Sequence, residues 1–192
     1  MRHCVVTLLL VIACALAHAD PRVQTLALDG TRSRVDFEVK VLWLVGVHGR
    51  FNRVRGTIAI DHFQNSATVD AQIDANSVSM RNKGHEDWVK SPEFFDAQHY
   101  PTIQFVSEAI PLRRLQSGGG IEGMLTLRGI SKKVQFELQP SECEAASHDD
   151  CPVEAIGAIR RGDFGMHSRH GALSDKVDLS FMIYLHGAEH QR

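Results

Sequence analysis

The stretch Lys176-Val-Asp-Leu-Ser-Phe-Met-Ile-Tyr-Leu-His186 indicates the fold class of this chain. Its apolar side chains recur at every second position and share one face: Val177, Leu179, Phe181, Ile183 and Leu185. Asp178, Ser180 and Met182 occupy the other face. Because successive side chains of a β-strand point to opposite sides of the sheet, this period of two predicts a strand with one buried face.

The same period runs through much of the rest of the sequence. In residues 35–43 the apolar positions are Val35, Phe37, Val39, Val41 and Trp43; beyond Trp43 the alternation is lost, and Gly46 indicates a bend or bulge. Together with the first stretch, the candidate strands are residues 23–29, 35–43, 57–61, 67–74, 102–110, 121–128, 133–138, 153–160 and 176–186.

Many short alternating strands predict an all-β antiparallel barrel or sandwich, and the pattern alone does not separate the two. Small residues on the inward faces favour a barrel with space along its axis: Ala71, Gly123, Ala155 and Gly157. A barrel of about eight strands has room for packed side chains or for one small ligand.

Residues 82–97 interrupt the strands with a pattern typical of two short helices, divided at Ser91-Pro92. Ser91 is a suitable N-cap and Pro92 suits a first helical turn. Trp88, Val89, Phe94 and Phe95 supply the apolar side of this helical insert.

Residues 1–19 have the features of a signal peptide. A short basic start precedes an apolar run too short to span a bilayer, and Ala17-His18-Ala19 offers a small-residue cleavage site. We expect cleavage after Ala19, one domain over residues 20–192, and a periplasmic or secreted location. An alternative is lipoprotein processing at Cys14, which would tether the protein to a membrane.

Charge and cysteine content narrow the function classes. The full chain has a net charge of −2, and removing Arg2 with the leader makes the mature chain slightly more acidic, which argues against nucleic-acid binding. After cleavage two cysteines remain, Cys143 and Cys151, and in an oxidising compartment they are expected to form a disulfide. Zinc binding with His148 and Asp149 is the alternative, but the spacing lacks a CxxC pair.

Several sequence blocks resemble the YceI-like family. They are Arg34-Val-Asp-Phe-Glu-Val, Gly49-Arg-Phe51, His85-Glu-Asp-Trp-Val-Lys-Ser-Pro-Glu-Phe-Phe-Asp96, Tyr100-Pro-Thr-Ile-Gln-Phe105, Gly123-Met-Leu-Thr-Leu-Arg-Gly-Ile-Ser-Lys132 and Arg160-Arg-Gly-Asp-Phe-Gly165. The resemblance implies an antiparallel, lipocalin-like barrel of eight strands with an elongated apolar cavity. It also implies an exported protein that holds a polyisoprenoid or isoprenoid-quinone-like amphiphile. Many relatives have His-x-Gly where this chain has Val41-Leu-Trp43.

The predicted ligand-binding residues are apolar side chains of the strands and of the helical insert. The alternative is that each belongs to an ordinary core. They are Phe37, Val39, Trp43, Trp88, Phe94, Phe105, Phe136, Phe164 and Phe181, with Met166 beside Phe164 at one end. Two basic groups, Arg50-Arg53-Arg55 and Arg160-Arg161, either attract a phosphate or quinone head or are solvated surface charge.

The sequence predicts a binding protein without catalytic residues, metal or cofactor. His85-Glu86 lacks the second histidine of a zinc helix, and no nucleophile elbow, P-loop or dinucleotide fingerprint is present. The expected partner is an isoprenoid or similar long-chain lipid, and a homodimer and transient membrane contact are compatible with this. The alternatives are an interaction or stress-response module without a ligand, and a metal-dependent enzyme using His85, Glu86, His99 or the His167–His170 pair.

Overall fold

The computed structural model describes residues 23–141, 151–169 and 171–186. The predicted signal peptide, Cys14, Cys143 and His170 lie outside these residues. The pairing of Cys143 with Cys151 therefore stays a prediction.

Twelve strands form one sheet and account for most of the described chain. They are β1 (Val23–Ala27), β2 (Arg34–Val41), β3 (Val45–Phe51), β4 (Val54–Asp61), β5 (Ser66–Asp74), β6 (Val78–Met80), β7 (Thr102–Ser107), β8 (Ile110–Pro111), β9 (Gly119–Leu127), β10 (Ile130–Leu138), β11 (Val153–Arg160) and β12 (Leu173–Ile183). The helices are α1 (Lys83–Lys90) and α2 (Arg114–Ser117), with 3₁₀ turns at Ala75–Ser77 and Arg161–Phe164. Within the described residues, neither helix has the length and apolar character to cross a bilayer.

All strand pairs are antiparallel, in the order β1-β4-β5-β7-β9-β10-β11-β12-β2-β3-β6, and β8 pairs with β5. Eight antiparallel pairings separate β4 from β3 along this order, so the two run in the same direction. Only Asn52 and Arg53 stand between them, and β3 and β4 thus act as one long bent strand that serves both sides of the curled sheet. Counted in this way, eight strands surround the axis.

This arrangement confirms the predicted all-β antiparallel, barrel-type fold. Each of the candidate strands corresponds to an observed one, and β3, β6 and β8 are additional. The bend predicted at Gly46 was wrong, because the chain reverses earlier, at Leu42 and Trp43, whose φ angles are 48° and 64°. Gly46 instead lies within β3, paired with Lys40.

The helical insert contains one α-helix rather than two. Asn82 caps α1, since its side-chain oxygen accepts hydrogen bonds from the backbone N–H of Gly84 and His85 at 2.8 and 3.3 Å. After Ser91 the chain forms turns only, and Asp96 adopts a positive φ of 47°. Ser91 still accepts from the N–H of Glu93, but there is no helix for it to cap.

Candidate functional site

The curled sheet and α1 enclose a cavity of about 500 Å³. Strands β2, β3 and β12 supply much of its wall: Val35, Phe37, Val39, Val41, Val45, Val47, Phe51, Val177, Leu179 and Phe181. Ile73, Met80, Ile103, Leu125, Leu127, Ile159, Met166, Ala172 and Leu173 extend the apolar lining. The polar side chains that reach it are His85, Arg161 and Arg169. A space with so few polar groups offers water little hydrogen bonding and suits a hydrocarbon.

Alternation along two paired strands explains the wall. In β2 the inward positions are every second residue, and the register places Phe37 opposite Leu179 and Val39 opposite Val177 of β12. The outward positions between them carry charge or hydroxyl groups, such as Asp36 opposite Ser180. The sequence alternation therefore builds an apolar inner face and a polar outer face from the same strands.

Three core rings lie against glycines of the adjacent strand: Phe37 on Gly49, Phe105 on Gly123 and Phe136 on Gly157. A Cβ atom at Gly157, for example, would stand 2.5 Å from Cδ1 of Phe136. The missing side chain lets each ring lie along the wall. At Phe37, which lines the cavity, this leaves the axis open.

Aromatic rings from the insert cover one part of the cavity. Trp88 and Phe94 meet edge to face with centroids 4.4 Å apart, and Phe95 makes a similar contact with Phe51 at 5.2 Å. The indole Nε1 of Trp88 donates to Glu93 Oε2 at 3.0 Å. This bond satisfies the polar atom of Trp88, so its ring can border apolar space.

Ion pairs within α1 stabilise the helix of the insert. Glu86 accepts hydrogen bonds from the ammonium groups of Lys83 and Lys90, at 2.5 and 3.0 Å. These bonds favour the charged carboxylate and lower the pKa of Glu86 to about 2. Glu86 therefore contributes two ion pairs to the stability of the helix.

Arg161 is a buried cation beside the cavity, with 2 % of its surface exposed. Its guanidinium donates to the carbonyl oxygens of Ser174 (2.9 Å), Met166 (2.6 Å), Ser168 (2.8 Å) and Leu173 (3.3 Å). Burial lowers its pKa, while the charge of Asp175 opposes this effect. The side chain thus links the backbone of Met166 and Ser168 to the start of β12, and its donors are directed at backbone.

Five of the nine predicted ligand-binding residues line the cavity: Phe37, Val39, Trp88, Phe94 and Phe181. Phe105 and Phe136 lie behind Phe181 in a row of rings with centroids 5.3 and 4.8 Å apart, outside the lining. They are core because they fill the barrel at a different level along its axis. Contact of any of these residues with a ligand stays a prediction.

Trp43 and Phe164 were predicted to line the cavity, but neither residue does so. Trp43 follows the end of β2, so it leaves the alternation and is 66 % exposed on the β2–β3 turn. Phe164 is fully buried, but it borders a separate surface groove rather than the cavity. Trp43 borders that same groove, which lies where β10 and β11 pair only over Phe136–Leu138.

The lining also contains residues that the sequence did not single out. Val41 and Leu179 belong to the same alternating patterns as Phe37 and Phe181. The sequence pattern could therefore have identified them as lining residues. Phe51, Val45 and Val47 lie on β3, which was not recognised as a strand.

The basic cluster at Arg50, Arg53 and Arg55 interacts with polar side chains of neighbouring residues. Arg50 pairs with Asp36 at 2.5 Å and Arg53 with Asp74 at 2.8 Å, while Arg55 hydrogen-bonds Gln72. None of the three lines the cavity. The structure thus places them as surface charge rather than at the mouth of the cavity.

The histidines and acids considered for a metal do not converge. His85 borders the cavity, whereas His99 bonds Asp96 at 2.8 Å. Among residues 23–141, 151–169 and 171–186, no three His, Cys, Asp or Glu side chains are placed to share a metal ion.

Comparison with known proteins agrees with the fold. Protein YceI of Salmonella arizonae is 27 % identical over 158 residues, covering 81 % of this chain and 82 % of that protein. The structure of Burkholderia cenocepacia BcnA superposes with a TM-score of 0.69 at 22 % identity, covering 81 % of this chain and 98 % of BcnA. A polyisoprenoid binding domain from Saccharophagus degradans gives a TM-score of 0.62 at 14 % identity, covering 85 % of this chain and 98 % of that domain. The YceI-like domain matches residues 26–185, and the chain therefore belongs to the YceI-like family.

Proposed function

We propose that this protein binds the tail of a polyisoprenoid or isoprenoid-quinone-like amphiphile and carries or sequesters it, without catalysing a reaction. The observation that carries the proposal is the apolar cavity of about 500 Å³ inside the barrel. The Saccharophagus domain, which has the same fold, is described as polyisoprenoid binding, and this supports the choice of ligand class.

The cavity volume sets the length of tail that fits. If each carbon-sized group occupies about 30 Å³, as a water does in the liquid, about 500 Å³ holds roughly 17 groups. This corresponds to about three five-carbon isoprene units, so a longer chain would extend beyond the cavity.

Burial of such a tail supplies the main driving force for binding. At about 0.8 kcal/mol per buried carbon group, 15 groups contribute roughly 12 kcal/mol. Association costs about 4–15 kcal/mol, so most of the tail must be buried before binding becomes tight. The affinity should therefore rise steeply with tail length until the cavity is full.

Extraction of the native protein tests the proposal. Protein purified without detergent is extracted with organic solvent, and the extract is analysed by mass spectrometry; we expect about one isoprenoid-type lipid per chain. Val39→Trp fills the cavity, whereas Val106→Trp adds the same ring to the exposed face of β7. The first variant should lose the lipid and the second should keep it.

The proposal fails if the parent yields no lipid and shows no affinity for added isoprenoids. Equal lipid content in the two tryptophan variants would contradict the location in the cavity. An empty barrel that still captures a specific protein would instead support the interaction-module alternative.

We also propose that the protein is exported to the periplasm or beyond, on the basis of residues 1–19. The mass of the protein recovered from the cell envelope fraction tests this. Loss of residues 1–19 is expected; a lipid-modified Cys14 would support the lipoprotein alternative, and an intact leader on cytoplasmic protein would contradict export.

A further inference from the structure

The turn between β2 and β3, with the first residue of β3, presents four consecutive apolar side chains to solvent. Leu42, Trp43, Leu44 and Val45, which we name the β2–β3 tip, are 62, 66, 87 and 62 % exposed. Single exposed apolar residues are common on soluble proteins, but a run of four on one protruding turn is not. Such a patch marks a contact surface.

The backbone of the tip has a conformation that these residues do not favour. Leu42 and Trp43, the first two residues of the three-residue turn, have φ angles of 48° and 64°, in the left-handed region that favours Gly and Asn. The tip is nevertheless held: the N–H of Leu42 donates to Ala172 O at 2.7 Å, and the N–H of Leu44 donates to Val41 O at 3.1 Å. The turn thus displays large apolar side chains even though the backbone conformation is unfavourable for those residues.

The tip stands at the entrance of the cavity. Val41 and Val45, on either side of the turn, line the cavity, and Ala172, which bonds the turn, lines it as well. A hydrocarbon leaving the cavity past these residues would meet the tip. The tip therefore adjoins the cavity in which the tail is proposed to bind.

Basic side chains accompany Trp43. The groove beside its ring is lined by Lys132, Lys133, Arg160 and Lys176, together with Asp163 and Asp175. Lys133 pairs with Glu108 and Glu122, and Lys176 with Asp178. Within the described residues Lys132 and Arg160 form no salt bridge, so they can face an anionic surface.

We propose that the β2–β3 tip inserts into a phospholipid bilayer that contains anionic lipid, so that the cavity entrance faces the membrane. The inference rests on the proposed function, because a carrier of an insoluble tail must collect it from a bilayer. Tryptophan suits the boundary between acyl chains and headgroups, and lysine and arginine suit anionic headgroups.

The size of the tip favours a membrane over a second protein. Four such side chains expose on the order of 500 Å², whereas a stable protein interface buries about 800 Å² per partner. A narrow apolar turn can enter a bilayer without a matching partner surface.

Vesicle binding tests the inference, with phosphatidylcholine–phosphatidylglycerol vesicles as the probe and co-sedimentation as the measurement. Leu42→Asn with Trp43→Gly introduces residues that suit the turn, so the variant should fold at least as well as the parent. Leu44→Ser removes the most exposed side chain without altering the two turn residues. We expect the turn variant to bind vesicles at least tenfold more weakly and Leu44→Ser to bind them several-fold more weakly.

Phe63→Ser is the matched control. Phe63 is 80 % exposed on the turn between β4 and β5, and the strand directions place that turn at the opposite end of the barrel. This variant should bind vesicles like the parent. Parent-like binding by both tip variants, or equal loss in Phe63→Ser, would overturn the inference.

Two further measurements separate this inference from other readings. Binding of a water-soluble, short isoprenoid analogue should be unchanged in the tip variants; its absence in the parent would instead count against the proposed function. In sedimentation velocity the parent and tip variants should have the same mass. A parent dimer that the tip variants convert to monomer would overturn membrane insertion in favour of a second copy of the chain.

Discussion

Replacing Gly49 with alanine should reduce the space for ligand without unfolding the barrel. Gly49 lies opposite Phe37, and a Cβ there would clash most closely with Cζ of the ring and would stand 2.5 Å from Cε1 and 3.0 Å from Cε2. Carbon atoms in comfortable contact are about 3.5–4.0 Å apart, so the ring must move by somewhat more than about 1 Å. The cavity is the unfilled space beside the ring, and we expect Phe37 to move into it.

The magnitude follows from the ligand atoms that the ring displaces. A movement of about 1 Å excludes one or two carbon groups of the tail, each worth about 0.8 kcal/mol of burial. Affinity for a fifteen-carbon isoprenoid should therefore fall about 4- to 15-fold. Stability of the ligand-free protein should fall by no more than about 1–3 kcal/mol, because the ring has room to relax.

Titration with a fluorescent fifteen-carbon isoprenoid analogue measures the effect, and circular dichroism checks the fold. In a Phe37→Leu background the ring is absent, and Gly49→Ala should then change the affinity by about twofold or less. An equal loss of affinity in both backgrounds would show that the ring does not transmit the effect. No loss in the parent background would refute the assigned position of Phe37 on the ligand space.

Other residues give independent tests. Trp88→Ala should weaken tail binding by about 1–2 kcal/mol, roughly 5- to 30-fold, with the circular dichroism spectrum unchanged; unaltered lipid retention would remove Trp88 from the cavity cover. For Glu86, the lowered pKa of about 2 in the folded state means that its ion pairs stabilise fully above pH 4.5 and are lost toward pH 2. The parent should therefore have a higher Tm than Glu86→Gln at pH 6, and the gap should close between pH 4.5 and 2; a gap independent of pH would contradict this role. Cys143→Ser should lower the free energy of unfolding by about 2–3 kcal/mol if the loop is closed by a disulfide, and free thiols in the native exported protein would contradict the pairing.

Alternation in the sequence predicted the faces of the strands but not the levels of their residues along the barrel. Phe37 and Phe105 both belong to inward positions, yet one lines the cavity and the other packs behind its lining. A period of two specifies which side of the sheet a residue faces. The position of the residue along the barrel axis depends on the register between strands that are distant in sequence. Register becomes visible only when β2 is paired with β12 and β7 with β9.

The alternation also failed to predict where strands end. Extrapolating the alternation of β2 by one step placed Trp43 inside, although the turn had already begun at Leu42. A Leu-Trp pair carries no turn signal of the usual Asn-Gly kind, so propensity could not locate the reversal. The two glycines of β3 then obscured the following strand.

The bonding of Arg161 has a consequence for selectivity. Arg161, buried beside the cavity, directs Nε, Nη1 and Nη2 to backbone carbonyls, and apart from His85 and Arg169 the other described lining residues are apolar. The apolar wall would then select the tail by its bulk and length, and contacts with a head group would fall to His85 and Arg169 rather than to Arg161. The isoprenoid-type lipids in a solvent extract should accordingly have hydrophobic portions of nearly the same size.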